Sequence, residues 1–189
     1  MDENSLITRE ASVRQPLSSE CPGGAGVLHA SLPEVYLHPG HNHVAANPAV
    51  IKMILGSCAG VFLFDPTLGI GGASHFMLPC RGEGPPSPRY GDVALAELLE
   101  NFRMHGCNSR NIQARVFGGA SMVPALENLS GSRIGQIGRR NIEITFEILE
   151  RESIAIIEKS VFGTQARKVS MVSNTGETVL ESVSNAYGN

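Results

Sequence analysis

Aromatic side chains and clustered positive charge are both scarce in this sequence. Tryptophan is absent, aromatic residues make up 5% of the chain, and the formal net charge is -3. Single-stranded nucleic acid is usually bound on aromatic stacking platforms, and phosphate groups are bound by concentrated basic residues. We therefore expect no nucleic-acid partner.

Long apolar runs are also missing. The longest uncharged one extends from Met53 to Phe64, but Gly56, Ser57 and Gly60 interrupt it. It falls short of the roughly 20 residues that a membrane-spanning helix needs. The N-terminus begins with acidic residues and has no apolar run typical of a signal peptide. We expect no membrane insertion and a soluble, cytoplasmic protein.

The cysteines lack the spacing of a metal site or of a disulfide framework. No CxxC pair occurs among the four, which are Cys21, Cys58, Cys80 and Cys107. Structural zinc sites and small disulfide-rich domains both require closer, paired spacing. The local cluster "HPGHNH" favours a surface turn over a metal site. The sequence therefore predicts neither a metal nor a cofactor.

Length and composition predict one folded domain preceded by a tail. A chain of 189 residues with 42% hydrophobic residues is long enough for one well-packed domain. Residues 1–30 are polar and rich in Ser, Pro and Gly, which predicts a flexible tail. Residues 31–189 are expected to form the single domain.

The order of predicted elements indicates an α+β fold. Two segments have helical spacing of apolar residues: "DVALAELLENFRMHG", with Asp92 as N-cap, and "NIEITFEILERE", with Asn141 as cap. Residues 81–91 are too rich in Pro and Gly for regular structure. Strands are predicted for "EVYLHPG", "AVIKMIL", "AGVFLFD", "GIGGASHFMLP", "NIQARVFGGAS" (ending in a glycine turn), "IAIIEKSVFG", "ARKVSMVS" and "ETVLESVS". Because strands outnumber helices without regular alternation, we expect mixed or antiparallel sheet layers with two packed helices.

One thiol and one imidazole fall within a predicted hairpin. Cys58 precedes the strand "AGVFLFD", and His75 lies in the next predicted strand, "GIGGASHFMLP". Paired strands bring distant residues into contact, so the two side chains could touch across the ladder. Buried cysteines and core histidines are common, however. Pattern alone therefore leaves open a structural role for both residues.

A resemblance to a known family favours the reactive alternative. The segments "VYLHPG", "LGSCAGVFLFDP", "GIGGASHFMLP", "FGGASMV" and "GRRNIE" occur in the order and spacing of the CheD family, the chemoreceptor glutamine deamidases of bacterial chemotaxis. The resemblance covers roughly residues 34–170. It is most specific in "LGSC" followed by "HFMLP".

The resemblance implies an enzyme that converts glutamine side chains on the cytoplasmic helices of chemoreceptors to glutamate, with release of ammonia. It implies Cys58 as the nucleophile and His75 as the general acid and base. It also implies a fold like that of the toxin deamidases and binding to a CheC-type phosphatase. The backbone N–H of Cys58 would be a natural donor to the oxyanion, since Gly56 and Ser57 let the main chain turn closely.

This chain departs from the family pattern at Lys52. The family has a threonine six residues before the cysteine that helps to orient the histidine, whereas the chain has Lys52. A lysine ammonium has no acceptor for a histidine N–H. A backbone carbonyl could take that place, or the hydroxyl of Ser57 or Ser74. Lys52 could instead stabilise the Cys58 thiolate by its charge, or it could be an exposed lysine at a strand start.

Three functions are compatible with these observations. The first is a chemoreceptor glutamine deamidase that acts through a Cys58 thioester. The second is a weakly catalytic or non-catalytic adaptor that binds receptors, a CheC-type phosphatase or both. The third is an enzyme of similar chemistry with a different protein substrate.

Overall fold

The structure is a computed structural model that describes residues 32–121 and 136–183. The predicted tail, residues 1–30, lies outside the described residues. The helices are α1 (Gly91–Met104) and α2 (Ile137–Arg151). The strands are β1 (Glu34–Tyr36), β2 (His41–Val44), β3 (Val50–Leu55), β4 (Ala59–Asp65), β5 (Ile70–Phe76), β6 (Gln113–Gly118), β7 (Ala155–Val161), β8 (Ala166–Val172) and β9 (Thr178–Val183).

The strands form two sheets. One has four strands in the order β1-β3-β8-β9, and the other has five in the order β2-β5-β4-β6-β7. The pairs β1/β3 and β6/β7 are parallel, and the other neighbouring pairs are antiparallel. The predicted α+β class with mixed sheets and two packed helices is confirmed for the described residues.

The five-stranded sheet is the middle layer of the molecule. All seven residues of β4 are buried, as expected for a strand covered on both faces. One face packs against the helices, through residues such as Val61, Leu63 and Leu98. The other face packs against the four-stranded sheet, through Phe62, Phe117 and others. Two hydrophobic cores therefore lie on either side of β4.

Helix α1 agrees with its predicted apolar stripe. Leu95, Leu98, Leu99 and Phe102 are all buried against the sheet. The predicted cap is wrong, since the N-cap residue is Tyr90. The Asp92 carboxylate lies in the first turn and accepts the backbone N–H of Arg81, at 3.0 and 3.1 Å. That contact ties the preceding loop to the helix.

Helix α2 begins earlier than predicted. It starts at Ile137, so Asn141 lies within the helix and does not cap it. Ile142 and Leu149 are fully buried, and Phe146 is half-buried against the same core. Because an α-helix repeats about every 3.6 residues, Asn141 falls on the side of α2 that faces the sheet.

Strand β2 differs from the prediction of a surface turn over "HPGHNH". Pro39 and Gly40 form a turn, but the residues after them pair with β5 as an edge strand. The strand consists of three polar residues and Val44, of which the first is exposed and the others are half-buried, and so has little apolar signal of a strand. Pairing with β5 is a long-range contact that local pattern does not reveal.

Candidate active site

The β4/β5 hairpin places Cys58 and His75 on the same face of the sheet. His75 is the cross-strand partner of Gly60, and Cys58 lies two residues before Gly60. Side chains two residues apart on a strand share a face. Cys58 is half-buried and packs against the core between the two sheets. Both side chains therefore lie on the side of the sheet that faces that core.

A backbone carbonyl orients the His75 ring. Nδ1 of His75 lies 3.0 Å from the carbonyl oxygen of Leu37, and a carbonyl only accepts, so Nδ1 carries a proton. In the neutral ring, Nε2 is then the basic nitrogen. Nε2 is buried and has no hydrogen-bond partner among the described residues. The ring presents a free lone pair to its surroundings.

Leu37 is itself held in place by the neighbouring sheet. Its N–H donates to the carbonyl oxygen of Lys52 at 2.8 Å, and its side chain is buried in the core between the sheets. The main chain of Lys52 thus supports the residue that orients His75. No sequence signal identifies Leu37, because any residue type can supply a carbonyl.

The Lys52 side chain is not part of this site. It forms an ion pair with Glu34, and it alternates with Ile51 and Met53, which are fully buried in the core. Lys52 therefore projects from the outer face of the four-stranded sheet. The even spacing between Lys52 and Cys58 carries no information about a shared face, because β3 and β4 belong to different sheets.

The segment Gly56–Cys58 is held by its carbonyl groups. The carbonyl of Gly56 accepts from the N–H of Ala120 and that of Cys58 from the N–H of Gly119, both at 2.8 Å. The carbonyl of Ser57 accepts from the side chain of Asn141 at 3.0 Å. Among the described residues, no backbone bond outside the regular elements uses the N–H of Ser57 or Cys58. The carbonyl groups of this segment are thus bonded by the glycine turn after β6 and by Asn141.

Burial keeps both reactive groups in their neutral forms. Desolvation raises the pKa of the Cys58 thiol, although its own backbone N–H partly offsets this. Desolvation lowers the pKa of His75, the bond to Leu37 opposes that, and charge on His38 and His41 lowers it further. No hydrogen bond joins the thiol to Nε2 within the described residues. The resting pair is thus a thiol beside a neutral imidazole.

The other described cysteines lie outside this pair. Cys107 is buried in the helix-side core, and desolvation, with the charge of Asp65, raises its pKa to about 11. Cys80 is exposed in the loop after the site. Ser74 is fully buried and adjacent to His75 on β5, so its side chain projects to the opposite face.

Asn141 is the buried side chain whose contact with the site the sequence did not predict. The resemblance to known sequences includes the segment "GRRNIE" that contains it. Within a helix, however, an asparagine gives no local indication of which loop it reaches. Among the described residues, no group of three or more His, Cys, Asp or Glu side chains is arranged to hold a metal ion. No helix in the described ranges has the length and apolar character needed to cross a membrane.

The amino-acid sequence was compared with models of known protein families, and one of them matches more than half of this chain. Residues 77–182 match the model of the family described as CheD chemotactic sensory transduction. The chain belongs to the CheD family. Cys58 and His75 precede the matched segment, so their roles depend on the motif and the geometry.

Proteins named probable chemoreceptor glutamine deamidase CheD are similar over most of this chain. The one from Sulfurimonas denitrificans is 37% identical, over 78% of this chain and 93% of that protein. The one from Trichlorobacter lovleyi is 39% identical, over 77% of this chain and 88% of that protein.

Similarity to solved structures is weaker. The hypothetical protein YfiH of Bacillus licheniformis superimposes with a TM-score of 0.42 at 16% identity, over 65% of this chain and 51% of that one. A DUF152 protein of Neisseria meningitidis gives 0.40 at 11% identity, over 72% and 64%. At these TM-scores and sequence identities, neither structure indicates the function of this chain.

Proposed function

We propose that this protein is a chemoreceptor glutamine deamidase with Cys58 as nucleophile and His75 as general acid and base. The observation that carries the proposal is the bond from His75 Nδ1 to the Leu37 carbonyl. It leaves Nε2 basic on the sheet face that also carries Cys58. The names of the relatives supply the substrate class, since proteins similar along most of this chain are called chemoreceptor glutamine deamidases.

The chemistry proceeds in two halves. In the first, the sulfur of Cys58 attacks the side-chain amide carbon of glutamine while the thiol proton passes to Nε2 of His75. The imidazolium then protonates the leaving nitrogen, ammonia departs, and a thioester remains. In the second, His75 takes a proton from water as the water oxygen attacks the thioester carbon, the C–S bond breaks, the imidazolium returns the proton to the sulfur of Cys58, and the product leaves as glutamate after its new carboxyl group ionises.

The backbone N–H groups near Cys58 would stabilise the tetrahedral intermediate. A developing oxyanion requires donors that are already fixed in position. The N–H of Cys58, with that of Ser57 beside it, lies on a segment whose three carbonyls are all bonded. The loss of one such donor typically slows an enzyme by about 100- to 1000-fold. Ser57 would thus contribute through its main chain rather than its hydroxyl.

A deamidation assay tests the proposal directly. The protein is incubated with a chemoreceptor cytoplasmic fragment, and the conversion of glutamine to glutamate is followed by peptide mass spectrometry together with ammonia release. We expect Cys58→Ala to abolish conversion and Cys80→Ala, which removes an exposed thiol elsewhere, to leave it intact. Absence of conversion by the wild-type protein with retained receptor binding would instead identify the adaptor.

A CheC-type phosphatase partner follows only from the resemblance in sequence. Binding of such a phosphatase to the purified protein, measured by calorimetry, is the direct test. The substrate helices named above are cytoplasmic, so a protein with this activity would act in the cytoplasm. Localisation of a tagged, full-length chain would test that expectation.

A further inference from the structure

We propose that Asn141 is a positioning residue that couples the nucleophile's segment to the strand end that carries the base. This inference rests on the proposed function, because it assigns Asn141 a role in the same site. Its side-chain nitrogen donates to the Ser57 carbonyl at 3.0 Å and to the Met77 carbonyl at 2.9 Å. Ser57 immediately precedes Cys58, and Met77 lies two residues after His75.

The two carbonyls belong to chain segments that leave the hairpin side by side. Ala59 and Phe76 are the last paired residues of β4 and β5 on that side. Beyond them the regular ladder stops, so backbone bonds between these strands no longer fix the separation of the two segments. One amide group with two donors replaces the missing ladder and bonds to both carbonyls.

The orientation of the amide follows from its neighbours. Both groups that it faces are carbonyl acceptors, so the nitrogen must point toward them, because the reverse orientation would oppose oxygen to oxygen. Asn141 is fully buried. A buried polar side chain costs folding free energy unless it is bonded, and its Oδ1 has no partner among the described residues. The stabilising contacts of this side chain are thus the two bonds to the site.

Close packing brings α2 near enough for this contact. A Cβ atom on Gly138 would lie 2.8 Å from the Gly119 carbonyl oxygen, and one on Gly119 would lie 2.4 Å from a side-chain carbon of Ile142. Only glycines allow so short an approach between the helix and the end of β6. The same turn bonds the Cys58 carbonyl through the N–H of Gly119. The helix and the turn therefore hold the nucleophile's segment together.

The test replaces the donor with an acceptor of the same shape. Asn141→Asp puts a carboxylate against two carbonyls, which repels both segments without a change in volume. A misplacement of about 1 Å can slow catalysis about 100-fold, so we expect kcat to fall 10- to 100-fold. KM should change little, because Asn141 is buried and does not contact substrate.

Thr145→Val is the matched control. Thr145 lies one turn further along α2, is also fully buried, and donates to the Asn141 carbonyl at 2.7 Å. Its replacement removes a buried hydrogen bond of the same helix but leaves the amide in place. We expect a comparable fall in thermal stability with kcat retained. An equal loss of kcat in both variants would overturn the positioning role.

A second measurement separates this inference from the proposed function. The alkylation rate of Cys58 by iodoacetamide, followed from low to high pH, needs no receptor substrate. A displaced segment changes the exposure of the thiol, so Asn141→Asp should shift this profile and Thr145→Val should not. If the wild-type protein deamidates nothing, this profile still tests the role of Asn141, and an unchanged profile in Asn141→Asp overturns it.

The wild-type protein itself offers a test that does not depend on variants that fold. Two side-chain amide protons held in buried bonds exchange slowly with solvent. We expect the NMR signals of the Asn141 side chain to persist in deuterium oxide longer than those of an exposed asparagine such as Asn101. Exchange as rapid as that of Asn101 would overturn the proposal.

Discussion

Burial shifts the pKa values of the two reactive side chains in opposite directions, and both shifts favour the uncharged form. The thiol of Cys58 has a raised pKa and the imidazole of His75 a lowered one. A resting thiolate–imidazolium pair would require the reverse. In the proposed mechanism, the sulfur would therefore become nucleophilic only as its proton moves to Nε2 during attack.

The pH dependence of alkylation follows from these directions. We expect the rate at Cys58, read by site-specific mass spectrometry, to rise with pH with a midpoint above the value of about 8.5 for free cysteine. His75→Gln should barely move that midpoint, because desolvation rather than an imidazolium sets it. A plateau extending to low pH, lost in His75→Gln, would instead reveal an ion pair.

The kcat/KM of deamidation should also depend on pH on the acid side. His75 must be neutral to accept the thiol proton, and burial lowers its pKa below the ordinary value of about 6.5. We therefore expect kcat/KM to hold near neutral pH and to fall only as the pH drops through that lowered value. Loss of activity beginning above pH 6.5 would contradict the direction of the shift.

Lys52 stands where the resemblance in sequence implies a threonine, and its position in the structure predicts no loss of activity. Its side chain pairs with Glu34 on the outer face of the four-stranded sheet. We expect Lys52→Thr to leave the deamidation rate unchanged and to alter the free energy of unfolding by less than about 1 kcal/mol. Glu34→Gln is the matched control. A faster Lys52→Thr enzyme would show that the lysine does reach the site.

At the scale of elements, the end of β6 makes close backbone contact with the segment Gly56–Cys58. Gly118 has φ +103°, and a Cβ atom there would lie 2.2 Å from the Cys58 carbonyl oxygen. Backbone atoms cannot yield as a flexible side chain can. The strand therefore approaches the segment Gly56–Cys58 as closely as an unsubstituted backbone permits.

Gly118→Ala should therefore displace the nucleophile. We expect deamidation to be lost and the free energy of unfolding to fall by at least about 1–3 kcal/mol, the cost of a strained backbone. Gly106→Ala is the control, because Gly106 has φ +82° but no heavy atom within 4 Å of its added Cβ. The Gly106→Ala variant should lose stability through backbone strain alone and should retain its deamidation activity in buffer without urea. Equal activities would exclude a role for the close contact.

At the scale of the whole molecule, the site depends on the packing of the two sheets. Leu37, whose carbonyl bonds the His75 ring, contacts β3 of the four-stranded sheet, whereas His75 belongs to the five-stranded sheet and Cys58 immediately precedes its strand β4. Phe62 and Phe117 fill the space between the sheets, with ring centroids 5.8 Å apart. The core between the sheets thus sets the distance from the Leu37 carbonyl to the imidazole.

Replacing a large side chain in either core by alanine tests whether the layers unfold in one cooperative transition. Phe62→Ala, between the sheets, and Phe102→Ala, beneath α1, should each lower the free energy of unfolding by about 3–5 kcal/mol. Because β4 is common to both cores, we expect one cooperative urea transition in each variant, monitored by circular dichroism and by tyrosine fluorescence. Separate transitions from the two probes would mean that the layers unfold independently.

The elements with strong local patterns could be predicted from sequence. The apolar run before Asp65 and the glycine-rich strand after it indicated the β4/β5 hairpin, and Leu95, Leu98 and Phe102 indicated α1. The first turns of both helices were predicted wrongly, because Asp92 and Asn141 are good capping residues by type. Their side chains instead bond the Arg81 N–H and the carbonyls of Ser57 and Met77.

The sequence by itself determined the α+β class and the β4/β5 hairpin, because alternation along a strand and short turns are local properties of the chain, and it indicated that Cys58 and His75 could meet across that hairpin. Tertiary structure alone decided that a Leu37 carbonyl orients the imidazole, that the Lys52 side chain faces outward, and that Asn141 reaches the site. Each of these depends on which sheet or helix packs beside a residue. Such contacts join residues far apart in the chain, and no local pattern encodes them.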